Sequence, residues 1–395
     1  MSSENKPGSL DFRTLCARGS SLDVGPGRPM VPSIVPATTF AFEDQAGVDL
    51  WHETRQGWLY GRYGNPTVQA AERFLASLEG AEAAALFGSG MAAIVTALST
   101  LLRHGDRIAA QREIYGGTYH VLVDVLPAFG VEVDWLDRRE IAGLDAARLR
   151  GCRVLYMESP TNPCLRLADL ARGADAARSA GAVSVVDGTF APPGVQRPLA
   201  LGCDLVIHSG TKYLGGHGDV TAGAVAGRSE LVGAVAARRT ALGGVLDPFS
   251  AFLLHRGMRT LAVRMAAQQA GAEVVARALR EHPRVVRVEW PGFPDHPDHA
   301  LARRQMSGFG GMVAFEVAGG LAGATAVHDR LRLIARAASL GSVESLVSIP
   351  ARMSHRGLTD DDRARAGVTP GLLRLSVGIE APEDLVADLR QALDG

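Results

Sequence analysis

The run HSGTKYLGGHG (208–218) holds Lys212, one of two lysines in a chain whose other basic side chains, histidine aside, are all arginine. A guanidinium stays protonated and is a poor nucleophile, whereas a desolvated lysine amine can lose its proton and attack a carbonyl carbon. A lysine kept among Gly, Ser and Thr therefore points to Schiff-base chemistry, with a surface ion pair as the plain alternative. Other groups able to act with it follow apolar runs. Asp187 closes AVSVVD and could face a buried cationic nitrogen, or simply cap a helix or turn. In GSGMAAIVTALSTLL, Gly90 and Met91 open a helix after a glycine turn, where backbone N–H groups and the helix dipole suit a phosphate. Close strand–helix packing is the bland reading of that turn. Ser209 and Thr211 add two hydroxyls beside the lysine, Asn162 in SPTNP a directional amide, and Tyr115 in REIYGGTY an aromatic face.

Each feature is ambiguous alone. A lysine for a Schiff base, an acid for a pyridinium nitrogen, a phosphate cup and a stacking ring together describe pyridoxal phosphate. The turn at Gly88–Gly90 does not match G-x-G-x-x-G, which disfavours a dinucleotide.

Groups this scattered must be gathered by elements. Strand-like runs at 83–87, 106–110, 131–136, 153–158, 182–187 and 204–208 alternate with helical patterns, and several are apolar throughout. That pattern predicts an α/β domain with a mostly parallel sheet buried on both faces and ligands beyond the strands' carboxyl ends. NPTVQAAERFLASLEG predicts a helix capped by Asn65, with Pro66 in its first turn and Gly80 as its stop. Residues 1–62, rich in Pro, Gly and Ser, read as an arm lying on a neighbouring subunit. Residues 63–256 form the α/β domain, and 257–395 a smaller α+β domain with a closing helix at PEDLVADLRQALD.

The chain has 395 residues and a formal net charge of −1, which offers no general attraction to nucleic acid or anionic membrane. No apolar run reaches membrane-spanning length, and MSSENKPGSLDF lacks a signal-peptide core, so a cytoplasmic protein is expected. Four scattered cysteines read as reduced thiols. PDHPDHA, with His296 and His299, reads as a proline-rich surface loop rather than a metal site; no metal is expected.

The chain resembles the Cys/Met-metabolism family of pyridoxal-phosphate enzymes, which includes cystathionine γ-synthases, cystathionine γ-lyases, methionine γ-lyases and O-acylhomoserine sulfhydrylases. The resemblance runs from about residue 30 to the C-terminus. It rests on YGRYGNPT (60–67), GSGMAA (88–93), YGGT (115–118), ESPTNP (158–163), VDGTF (186–190), HSGTKYLGGHGD (208–219), RGMRTLAVRM (256–265), RQMSGFGGM (304–312), SLGSVESL (339–346) and LLRLSVGIE (372–380). It implies a fold-type-I transferase with a seven-stranded-type sheet flanked by helices.

By resemblance, Gly90, Met91, Thr189, Ser209 and Thr211 belong to the coenzyme site, with Asp187 on the ring nitrogen and Tyr115 stacked on the ring. Tyr60 and Arg62 reach the phosphate in a neighbouring subunit, in a dimer of dimers with shared sites. Asn162, Ser339 and Arg374 hold the carboxylate of a small amino-acid substrate, while Lys212 and Tyr115 move protons. The chain departs from the family at Gly188, where Asn is usual, and at Gly215-Gly216, where Asn-Gly is usual. Gly117 stands where methionine γ-lyases commonly carry Cys, and Ala338 where cystathionine-specific members carry Glu. The implied activity is γ-replacement or γ-elimination on a homoserine-derived or sulfur-containing amino acid, a specialised biosynthetic step among the readings. A β-eliminating C–S lyase and a catalytically silent binding relative are the alternatives.

Overall fold

The computed structural model describes residues 10–20 and 29–395; Lys6 lies outside them. Seven strands build the larger sheet: β1 (Ala83–Phe87), β2 (Arg107–Gln111), β3 (Glu132–Leu136), β4 (Cys152–Glu158), β5 (Val183–Asp187), β6 (Leu205–Ser209) and β7 (Gly223–Gly227). Their order is β1-β7-β6-β5-β4-β2-β3. Only β7 runs against its neighbours, and every other pairing is parallel. Val154, Leu155 and Tyr156 on β4 and Val185 and Val186 on β5 are fully buried, as helices on both faces require. The six apolar runs anticipated β1 to β6. GAVAG gave no such signal, yet β7 is buried along its whole length. Its terminal glycines explain the composition. A Cβ at Gly223 would lie 2.0 Å from the Ser89 carbonyl oxygen, and one at Gly227 2.3 Å from that of Asp204.

The helix Pro66–Glu79 forms as its sequence dictates. The Asn65 side chain accepts from the Thr67 and Val68 N–H groups, and Gly80 ends the helix at φ 66°. Its apolar face seats Val68, Phe74, Leu75 and Leu78 in the core. The stretch 1–62, expected to be an arm, carries regular structure among its described residues. Helices Phe12–Arg18 and Gln45–Thr54 interrupt it. Phe12, Leu15 and buried Cys16 pack on the chain's own core, so the first of these helices is anchored at home. The second ends within the segment LWHETRQGW (50–58), where Trp51 is buried and carries the Arg55 guanidinium 4.5 Å from its ring.

A second sheet holds β8 (Val285–Glu289), β9 (Met312–Val317), β10 (Ala335–Arg336), β11 (Leu346–Ser348) and β12 (Leu372–Ser376), in the order β10-β11-β12-β9-β8. Helices Leu261–Arg280 and Pro382–Asp394 cover it, joining Val275, Leu279, Leu385 and Leu389 to Phe315 and Leu373 in one apolar cluster. The strands β10 and β11, two and three residues long, are too short to show a period. His296 is buried rather than exposed, its Nδ1 accepting from the Asp298 N–H. Among the described residues, no group of three or more His, Cys, Asp or Glu side chains is placed to hold a metal ion. No described helix is long and apolar enough to cross a membrane.

Candidate active site

The carboxyl ends of β1, β4, β5 and β6 open into a cavity of about 600 Å³ whose other wall comes from the second sheet. Lys212 lies just after β6. Its Nζ donates to Ser339 Oγ at 2.7 Å. Burial, and then the neighbouring Arg374 cation, bring this amine down to about 8, within reach of its neutral, nucleophilic form. Ser339 has φ 94°, a left-handed backbone unusual for a residue with a side chain. It is held there by Arg374 Nη2, which donates to its carbonyl at 3.0 Å, while the adjoining Gly341 N–H donates to Ser376 Oγ.

Asp187 ends β5, with one carboxylate oxygen accepting from the Thr189 N–H at 3.0 Å. It is buried, and burial raises its pKa. None of the described residues forms an ion pair with it, which leaves it free to face a cationic group of a ligand. Thr189 also accepts from the Ser209 N–H at 2.9 Å, tying the ends of β5 and β6 together. Gly90 and Met91 begin the helix Gly90–Leu101, whose N-cap Ser89 accepts from the Ala92 N–H. A Cβ at Gly90 would lie 3.0 Å from that of Ser209, so the glycine lets the helix start close to the two strands. With Ser209 and Thr211 they line the cavity and could cradle a phosphate.

Arg374, on β12, supplies the opposite charge. It is 6% exposed, and burial lowers it to about 10. Nη1 donates to Asn162 Oδ1 at 3.0 Å, Nη2 to Ser339, and Nε has no partner. No carboxylate of the described residues pairs with it. A buried cation in this position is completed by an anion, such as a substrate carboxylate.

The structure thus brings together Gly90, Met91, Tyr115, Asn162, Asp187, Thr189, Ser209, Thr211, Lys212, Ser339 and Arg374 around one cavity, with Ala338 at its edge. It does not bring Tyr60 and Arg62 there. Within one chain, Arg62 Nη1 donates to the Thr240 carbonyl at 3.0 Å, and its guanidinium lies over the Tyr60 and Tyr63 rings at 5.6 and 5.1 Å. Two of the departures sit in tight surroundings. A Cβ at Gly188 would lie 2.9 Å from His208 Cε1, and one at Gly117 2.5 Å from Tyr115 Cε1. Sequence reading missed Glu158, Met353 and Ser354 in the cavity wall. Of these only Glu158 left a trace, as the first letter of ESPTNP.

A ligand that offers a carbonyl carbon to an amine, a cation to a buried carboxylate and a phosphate to a helix start meets these demands, and pyridoxal phosphate is such a ligand. Comparisons narrow that class. The profile of the family described as Cys/Met metabolism PLP-dependent enzyme matches residues 14–394. An L-methionine gamma-lyase of Pseudomonas putida is 44% identical over 370 residues, 93% of each chain. A cystathionine gamma-lyase of Bacillus subtilis is 43% identical, over 86% of this chain and 89% of its own. The crystal structure of cystathionine gamma synthase from Xanthomonas oryzae pv. oryzae, in complex with cystathionine, superposes with a TM-score of 0.91 at 40% identity, covering 98% of both chains. The chain belongs to the Cys/Met metabolism PLP-dependent enzymes.

Proposed function

We propose that this enzyme catalyses γ-elimination or γ-replacement on a homoserine-derived or sulfur-bearing amino acid whose γ-substituent is uncharged. The observation that carries the reading is Arg374, a buried guanidinium without a carboxylate partner, in the same cavity as the Lys212 amine and the unpaired Asp187 carboxylate. Relatives named for γ-lyase and γ-synthase reactions support it.

When bound, pyridoxal phosphate supplies an electrophilic carbon and an electron sink. Gly90, Met91, Ser209 and Thr211 hold its phosphate, Asp187 holds a proton at the ring nitrogen, and Tyr115 covers a ring face. Arg374 and Asn162 bind the substrate carboxylate, which orients the α-C–H bond. Lys212, once free, takes the α-proton and serves as the base for Cβ on the same side. The Tyr115 phenol gives a proton to the departing γ-group. Ala338 leaves the distal wall uncharged, which favours a neutral leaving group.

We further infer that Tyr60 and Arg62 complete the phosphate site of a second copy, in a dimer of dimers, and that the enzyme works in the cytoplasm. Four buried, unpaired cysteines fit a reducing compartment. The test of the function is a panel of O-acylhomoserines, methionine, cystathionine and cysteine, scored for 2-oxobutanoate, pyruvate and, with added thiols, for replacement products. 2-Oxobutanoate or a γ-replaced amino acid is expected. Pyruvate alone would establish β-elimination instead.

A further inference from the structure

Glu158 has no part in the chemistry above, yet it lines the same cavity and is only 4% exposed. It closes β4 and stands in register with Asp187 at the end of β5, so two buried carboxylates sit side by side. Burial, and then the Asp187 charge, push its pKa well above the usual range. A carboxylate in so costly a place needs a task that its uncharged analogue cannot perform.

The hydrogen bonds show that task. Oε2 accepts from the Tyr115 N–H at 2.7 Å, and Oε1 accepts from the Asn162 N–H at 2.8 Å. The Glu158 N–H itself donates to Gln111 Oε1 at 3.1 Å, which fixes the strand end that carries the side chain. A glutamine of the same shape has one acceptor and one NH2 donor, so it satisfies one of the two N–H groups and opposes the other. Only a carboxylate serves both.

We infer that Glu158 is a positioning residue whose two oxygens set the spacing between Tyr115 and Asn162. This rests on the roles proposed above, in which Tyr115 moves a proton at the γ-substituent and Asn162 helps Arg374 hold the substrate carboxylate. One side chain then sets the distance between the two ends of the substrate.

The experiment compares the holoenzyme with Glu158→Gln and Glu158→Asp. Glycine, which has the carboxylate and amine but no γ-group, is titrated by the change in visible absorption. The values of kcat and KM are measured for the best γ-substituted substrate. Losing one charge-assisted hydrogen bond corresponds to about tenfold or more in an equilibrium. Glu158→Gln is therefore expected to weaken glycine binding by about tenfold and to lower kcat by a similar factor. Its melting temperature should change little, since removing a buried charge offsets the one N–H that the amide cannot serve. Glu158→Asp, which keeps the charge on a shorter stem, should recover part of kcat. Glycine affinity and kcat both within about twofold of the unmodified enzyme in the two variants would overturn the inference. So would losses that merely track unfolding, or glycine failing to bind the unmodified enzyme. Glycine bound normally, with no γ-product from any amino acid, would instead count against the proposed reaction and leave Glu158 in place.

Discussion

The Lys212 amine, carried by the parallel sheet, rests on the Ser339 hydroxyl, carried by the chain leading into β11, at 2.7 Å. This one bond ties the nucleophile to the wall that also holds Arg374, whose Nη2 grips the same serine's carbonyl. Amine and carboxylate anchor are therefore set relative to each other by a residue held at φ 94°.

The first prediction follows from that amine. Borohydride reduction of the loaded enzyme should leave the pyridoxyl group on Lys212, and Lys212→Arg should fold without turning over substrate. In coenzyme-free protein the reactive form is the neutral amine, present above about 8. The rate of coenzyme capture should thus rise as pH increases through that value and then level off. Because the Arg374 cation helps to lower the amine, Arg374→Leu should move the rising limb to higher pH. A capture rate that falls with rising pH across this range would contradict the assignment.

Arg62 gives the second. In the folded chain it is occupied with Thr240 and the Tyr60 and Tyr63 rings, away from the Lys212 cavity. Subunits carrying Arg62→Ala and subunits carrying Lys212→Ala should each be inactive or nearly so. Mixing and reassembling them should restore activity in sites that combine one intact arm with one intact lysine. Hybrids confirmed by mass, yet without recovered activity, would show that the arm serves no neighbouring site.

Ala338 gives the third. It lines the cavity beside Ser339 without offering a charge. An unpaired ammonium in such a site costs about 2–5 kcal/mol relative to a paired one, or roughly 30- to 4000-fold. Cystathionine, with its distal amine, should be handled poorly, and Ala338→Glu should raise its kcat/KM relative to that of an O-acylhomoserine or methionine. An unmodified enzyme that already prefers cystathionine would remove Ala338 as the discriminator.

The fourth concerns packing. Restoring the family's usual residue through Gly188→Asn should destabilise this protein, because His208 Cε1 and Val206 Cγ2 lie 2.9 and 3.0 Å from where the new Cβ must go. His208 cannot yield easily, as its Nε2 is bonded to buried Glu79 at 2.5 Å. Overpacking of this kind costs about 1–3 kcal/mol. Thermal melting should drop by several degrees, while reduction still labels Lys212. An unchanged melting temperature would mean that the pocket behind Asp187 is looser than the structure shows.

Much of this was readable in the sequence because local rules and tertiary structure agree. Asn65, Pro66 and Gly80 mark one helix by capping chemistry alone, and β4 and β5 announce themselves through the apolar stretches VLYM (154–157) and VV (185–186). Lys212, Asp187 and Gly90 were legible because each lies at or just beyond the carboxyl end of a strand, where an α/β sheet presents its ligands. What was hidden depends on contacts distant in sequence. β7 is written in Gly, Ala and a single Val because Ser89 and Asp204 crowd it, and crowding leaves no periodic mark. Ser339 carries nothing in its identity that announces a left-handed backbone. Glu158 acts through the N–H groups of two other residues, and backbone donors have no letter in a sequence.

The arginine-for-lysine substitution that first singled out Lys212 also bears on how the enzyme is loaded. Aldehydes condense with amines but not, at neutral pH, with guanidinium groups. On an ordinary protein a reactive aldehyde is diverted by dozens of surface lysines. Here, apart from the α-amino group and Lys6, the chain offers it one destination, and that destination is the Lys212 cavity. The protein thus carries its own chemoselectivity. Reductive alkylation with a small aldehyde becomes a titration of catalytic centres, and coupling chemistries that rely on surface lysines have little to hold.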